Sequence, residues 1–336
     1  MHPAAALLLL TGAAFATSSA PFSAAEGRVL EVGPGRTIAA PSAAAAIARP
    51  GDTVRIDAGD YRDCAVWRTP DLTIEGVGGH AHMRDVACEG KAIWVFYAAP
   101  VTIRHVRFSG SSVPRRNGAG IRWEGSGPLT VEDGRFEGNQ MGLLAHNRRS
   151  TSLVIRDSVF ENNGACETFC GHGLYAGLIS SLVVENSVFA GQRFGHHIKS
   201  RAAKSLIAGN RISDGPYGTA SYAIDLPNGG AAVIRGNRIE KGPLTDNPYC
   251  AICIGEEIRP AAEATHDSHT ANPPGTILIE GNIFESRTGM PETAFVWNRG
   301  PHPVAIRDNA LSGGPIPYVA GPRPELEKKK EKNGAD

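Results

Sequence analysis

Val101-Thr102-Ile103-Arg104-His105-Val106-Arg107-Phe108 reads as a short β-type run, with an aliphatic side chain third and an aromatic one eighth. The pattern returns at Leu129 to Phe136, Leu153 to Phe160, Leu182 to Phe189, Ser205 to Ile212, Ala232 to Ile239, Ile277 to Phe284 and Val304 to Leu311. An imperfect copy begins at Leu72. The third position is Ile103, Val131, Ile155, Val184, Ile207, Ile234, Ile279 and Ile306; the eighth is always Phe, Ile or Leu. In the last four copies the sixth position is Asn: Asn210, Asn237, Asn282 and Asn309. Successive copies start 28, 24, 29, 23, 27, 45 and 27 residues apart. A repeat of this length, β-branched and without helical stretches between copies, marks a β-solenoid. Stacked coils place like residues over like, so aliphatic, Phe and Asn ladders are expected, with Asn side chains bonding the neighbouring coil.

Composition agrees with this reading. The 336 residues include 40 Gly and 23 Pro, 41% hydrophobic residues, and 34 basic against 34 acidic side chains. That apolar content suffices for a core, and zero net charge argues against a nucleic-acid partner. Met1 to Ala25 carries an apolar stretch ending in the small residues Ser23-Ala24-Ala25, the pattern of a cleavable signal peptide. No other apolar run is long enough for a membrane span. The expectation is an exported protein, periplasmic or secreted, and monomeric. Six cysteines (Cys64, Cys88, Cys166, Cys170, Cys250, Cys253) suit disulfides in such a compartment better than a zinc site, with the pairing left open. His266-x-x-His269 lacks an evident third ligand, so no metal and no cofactor are expected. The domain plan is a signal peptide at 1–25, one solenoid at 26–315 and a flexible charged tail at 316–336. An alanine-rich helix over Ser42 to Arg49 would cap the first coil.

With its alanine-rich cap followed by Pro50-Gly51-Asp52-Thr53-Val54, the chain resembles the right-handed parallel β-helix proteins of the pectin-lyase-like superfamily over residues 38 to 315. The resemblance implies an all-β, right-handed parallel β-helix with an N-terminal helical cap. It does not select one activity, because that superfamily hosts lyases, hydrolases, epimerases, esterases and adhesins.

Each copy carries a second apolar strand, among them Gly118 to Trp123, Gly171 to Gly177, Gly195 to Arg201 and Ser221 to Leu226. With Ile121, Leu174, Ile198 and Ile224 in register as core, period-two alternation sends Arg122, Tyr175, His197, Lys199, Arg201 and Asp225 outward. Lys199 and Arg201 can grip a carboxylate, and His197 or Tyr175 can move protons. Tyr175, His197, Lys199, Arg201 and His172 are therefore the catalytic candidates. His172, with His196, alternatively forms a buried hydrogen-bonded stack. Asp225, Arg122, Arg115 and Arg116 are candidates for substrate binding, with Arg148 and Arg149 extending a groove. This inventory suits β-elimination of an acidic, uronate-containing polysaccharide, which needs a neutralising cation, a base and an acid. With Asp225 alone among carboxylates in the central row, a metal-independent polysaccharide lyase is expected.

Gly171-His172-Gly173 and Ile198-Lys199 also resemble motifs of polygalacturonase-like hydrolases. The paired aspartates that the resemblance requires on the preceding coils are missing, although Asp225 with Glu256 or Glu257 could replace them. A non-catalytic glycan-binding solenoid is the third reading. The long stretch from Lys241 to Thr276, with Tyr249, Glu256, Glu257, His266 and His269, would wall the groove.

Overall fold

The computed structural model describes residues 27–167, 170–258, 272–273 and 275–321. It is an all-β, right-handed parallel β-helix with one short helix near the N-terminus. Nineteen strands form one continuous parallel sheet that wraps two sides of each coil, and ten strands form the third side.

The repeat copies stack in the register their sequence dictates. Ile103 lies against Val131, Val131 against Ile155, and the series continues through Val184, Ile207, Ile234 and Ile279 to Ile306. Phe108, Phe136, Phe160 and Phe189 stack face to face, with ring centroids 5.3, 4.5 and 4.7 Å apart. Each of these buried rings contributes roughly 1.5–3 kcal/mol by burial. The Asn ladder also forms: Asn237 Oδ1 accepts both the backbone and side-chain N–H of Asn210, Asn282 repeats this for Asn237, and Asn309 for Asn282. Ser187 N–H donates to Asn210 and so extends the ladder by one coil. Between the two strands of a copy the chain turns through a left-handed residue: His105, Asp133, Asp157, Asn186, Gly209, Gly236, Gly281 or Asp308. All but His105 are Gly, Asn or Asp, the residues that most readily accept such a turn.

The spacing of 45 residues is an insertion, because Ala232 and Ile277 still pair directly. At the N-terminal end, the strand Val29–Val32 pairs with Thr53–Ile56, and the helix Pro41–Ile47 sets Ala44 into the core. At the other end the strand Ile316–Ala320 pairs with Ala294–Asn298, so the solenoid passes the boundary expected at residue 315. Residues 1–26 and 322–336, which contain the expected signal peptide and most of the charged tail, lie outside the described residues. Three disulfides form: Cys64–Cys88, Cys166–Cys170 and Cys250–Cys253.

Candidate functional site

The expected outward row lies on the ten-stranded sheet. Arg122 pairs with Leu144, Leu144 with Tyr175, Tyr175 with Lys199, and Lys199 with Asp225. Beside this row runs a cleft of about 730 Å³, lined among others by Arg122, His146, His172, Tyr175, His196, Lys199, Arg201, Asp246 and Glu257. Of the sequence candidates, Arg122, His172, Tyr175, Lys199 and Arg201 thus share one cavity, and Asp225 lies against it through Lys199 and His196.

Lys199 and Arg201 converge on one carboxylate. The Lys199 ammonium donates to Glu257 Oε1 at 2.6 Å, and Arg201 donates to Glu257 Oε2. Arg201 also donates through Nε to the Tyr175 hydroxyl at 2.9 Å and to Asn228 at 2.7 Å. The Lys199 ammonium lies 3.3 Å from Asp225 Oδ2 as well, and His196 Nε2 is 3.3 Å from the same oxygen. Asp225 is 1% exposed and its Oδ1 is without a hydrogen-bond partner.

These surroundings separate the two carboxyl groups. Burial pushes Asp225 up to about 7, with Lys199 only partly offsetting it. Burial would raise Glu257 too, but the attraction of Lys199 and Arg201 outweighs it and holds Glu257 below the usual carboxylate range. Burial likewise opposes the charge on Lys199 and Arg201, and their anionic neighbours outweigh it, so both stay firmly cationic.

The histidines exchange the places expected from alternation. His197 does not face outward. It is 1% exposed, and its Nε2 lies 2.8 Å from Asp214 Oδ1, so it cannot meet a substrate in the cleft. Asp214 sits in a turn of the neighbouring coil and gives His197 a buried polar partner, which breaks the period of two at the start of the strand His196–Ser200. His196 consequently faces the cleft. It stacks between His172 and Tyr222, at centroid distances of 4.8 and 4.7 Å. Its backbone N–H donates to His172 Nδ1 at 3.0 Å. Gly195 permits this approach, since a Cβ there would lie 2.1 Å from the Gly171 carbonyl oxygen. Burial, then nearby cations, hold His172 well below its ordinary value; burial and then His172 and Lys199 do so for His196. Both are neutral at pH 7; the Nδ1 lone pair of His172 is taken by the His196 N–H, whereas His196 Nδ1 has no hydrogen-bond partner.

The remaining arginines do not join the cleft. Arg115 is exposed, and Arg116 lies 3.7 Å from Glu167 beside a separate small hollow, so neither lines the cleft. Arg148 is tied to the Glu124 carbonyl, and Arg149 to Asn272 at the edge of another cavity. Glu257 is the principal residue that alternation missed, because it lies in the turn after the strand Cys250–Ile254, where no period of two can be read. Its place among the acidic residues of the insertion was the available signal. His266 and His269 lie outside the described residues.

A coil carrying this cleft defines a β-helix protein of the pectin-lyase-like kind. A family model described as "Periplasmic copper-binding protein (NosD)" matches residues 50–242, and the chain belongs to that family. No curated protein matches the chain. Similar solved structures include an alginate lyase from Paenibacillus sp. str. FPU-7, 15% identical with a TM-score of 0.45, covering 88% of this chain and 99% of that one. Pectin methylesterase PemA from Erwinia chrysanthemi is 10% identical with a TM-score of 0.48, covering 91% and 95%. The mannuronan C-5 epimerase AlgE4 A-module of Azotobacter vinelandii is 12% identical with a TM-score of 0.44, covering 81% and 89%. At such identities the likeness concerns the fold, and the activities in those names belong to those proteins.

The periplasmic description and the three disulfides agree with an oxidising compartment. No helix among the described residues is long and apolar enough to cross a membrane. The described residues do not fit copper. All six cysteines are in disulfides, Met83 is sealed in the core, and Met141, on the cleft wall, is packed in a cluster with Val95, Ala119 and Leu144. His172 and His196 are stacked, so their ring nitrogens lie side by side rather than converging. His80 and His105 both approach Asp133, at 3.3 and 3.8 Å, but His80 Nε2 is already bonded to the Asp133 carbonyl at 3.0 Å. Among the described residues no three His, Cys, Asp or Glu side chains are grouped to hold a metal.

Proposed function

We propose that the protein cleaves an acidic, uronate-containing polysaccharide by β-elimination. The observation that carries this is the Glu257 carboxylate held jointly by Lys199 and Arg201 in the cleft, since a sugar carboxylate presents the same charge and oxygen geometry. A uronate displacing Glu257 would have its charge neutralised, which acidifies the proton on the adjacent ring carbon. Neutral His196, whose Nδ1 has no hydrogen-bond partner, accepts that proton. A carbon–carbon double bond forms as the bond to the glycosidic oxygen breaks, and the Tyr175 hydroxyl protonates that oxygen. Arg201 Nε donates to the Tyr175 oxygen and holds the hydroxyl at the cleft. Asp225 orients His196 and Lys199, and Arg122 binds the neighbouring sugar. In this proposal the protein is exported with residues 1–25 removed, is monomeric, and uses Lys199 and Arg201 where other enzymes use a metal.

A second reading, glycoside hydrolysis, is favoured by one observation. Asp225 and Glu257 flank a single ammonium, and their surroundings drive one carboxyl toward the acid form and the other toward the ionised form. Incubation with a panel of acidic glycans separates the readings. Unsaturated products absorbing in the ultraviolet are expected; new reducing ends without that absorbance would establish hydrolysis instead. Glycan binding without turnover would leave a binding solenoid.

A further inference from the structure

We infer that Phe194, Tyr217 and Leu244 form a stacking rim that holds the sugar rings of the acidic chain beside the cleft, a subsite that rests on the glycan-cleaving reading above. Three successive coils each send a loop along the same edge, and each loop carries one large apolar side chain into solvent: Phe194 is 42% exposed, Tyr217 84% and Leu244 53%. Isolated exposed apolar residues need no explanation, but a series on consecutive coils does.

Hydrogen bonds join the three loops. Phe194 N–H donates to Thr219 Oγ1 at 3.0 Å and Thr219 N–H to the Gln192 carbonyl at 2.9 Å. The Thr245 hydroxyl donates to the Ala220 carbonyl at 2.6 Å. The same loops supply Gly195, Ser221 and Asp246 to the cleft lining, which sets the rim next to the charged site, with Tyr217 also lining a shallow hollow beside Arg193. Phe194 further adopts φ 60°, a left-handed conformation costly for a bulky residue, and keeps its ring at the surface. Adjacent coils lie ~4.8 Å apart, the scale of one monosaccharide, so successive rim side chains can meet successive rings of one chain. Pyranose rings present apolar C–H faces while their carboxylates and hydroxyls point sideways. An apolar rim beside a Lys199–Arg201 clamp matches both features, whereas an apolar partner would leave the charged side of the cleft unmatched.

The test compares uronate oligomers of two and six sugars in affinity gel electrophoresis, using the whole chain. The double variant Phe194→Ala, Tyr217→Ala is expected to bind the six-sugar oligomer at least about tenfold more weakly, with two-sugar binding unchanged. Tyr217→Ala alone touches only an exposed side chain, so a loss there cannot be ascribed to misfolding, and Leu244→Ala should add a smaller loss. Equal binding of the six-sugar oligomer by wild type and both Tyr217 variants overturns the rim. Absence of binding by the wild type to every acidic oligomer overturns the cleft reading beneath it. Retention on anionic phospholipid vesicles that the double variant loses, without glycan binding, assigns the rim to a membrane surface and also overturns the inference.

Discussion

Lys199 holds two carboxylates on one ammonium, and the two respond oppositely because only Glu257 is shared with Arg201. Removing the cation should therefore strike the chemistry. Lys199→Ala and Arg201→Ala are each expected to lower turnover of an acidic glycan by about a hundredfold or more, the scale of a lost charge-stabilising group. Initial rates of unsaturated-product formation measure this, and near-wild-type rates in both variants would remove the clamp from the mechanism. Asp225 makes a separate prediction about stability. Its carboxyl titrates at about 7 in the folded chain against 3.8 unfolded, so the native state holds the extra proton between those values. Stability on this account is fully present below pH 4 and is lost as pH rises through 7, by on the order of 4 kcal/mol. Asp225→Asn mimics the protonated form at every pH. Thermal melts should show the variant close to wild type at pH 4 and gaining on it steadily toward pH 8. A constant difference across that range would place the carboxyl in an ordinary, solvated setting.

Elements obey the sequence wherever their partners are their own repeats. The third and eighth positions of the copies pair across every coil from Ile103 to Ile306, and the Asn ladder runs from Asn210 to Asn309. Asn237 sits in its middle, donating to the Ile207 carbonyl and Asn282 while accepting two N–H groups of Asn210. Asn237→Ala leaves several buried groups unpaired at about 1–3 kcal/mol each, so chemical denaturation should show a loss of at least about 2 kcal/mol. A loss below about 0.5 kcal/mol would mean water replaces the ladder. The Tyr175–Lys199–Asp225 row was legible for the same reason, as alternation is a local rule. His197 escaped it because its partner, Asp214, comes from the turn of another coil, and no periodicity within Gly195 to Arg201 records that bond. Glu257 was legible as a possible partner of Asp225 but not as the carboxylate gripped by Lys199 and Arg201, for an insertion has no register to read.

Over the whole molecule, 34 basic and 34 acidic residues cancel, and the sequence suggests a basic groove hidden beneath that balance. The cleft itself is close to balanced. Arg122, Lys199 and Arg201 face Asp246 and Glu257, with Asp225 near half-ionised at neutral pH. An acidic glycan would meet little net attraction from a distance and would be selected by the clamp after Glu257 yields its place. Binding to an immobilised uronate polymer should then depend only weakly on ionic strength, unlike that of a polycationic surface. Glu257→Gln removes the competing carboxylate and leaves the cations in place. It is expected to tighten binding by roughly tenfold, about 1.4 kcal/mol, and to steepen the salt dependence by freeing two positive charges. Surface plasmon resonance from low to physiological salt reads both effects. Weaker binding by this variant would mean that Glu257 positions Lys199 and Arg201 for the glycan, and the clamp would then be a three-residue unit rather than a pair awaiting its ligand.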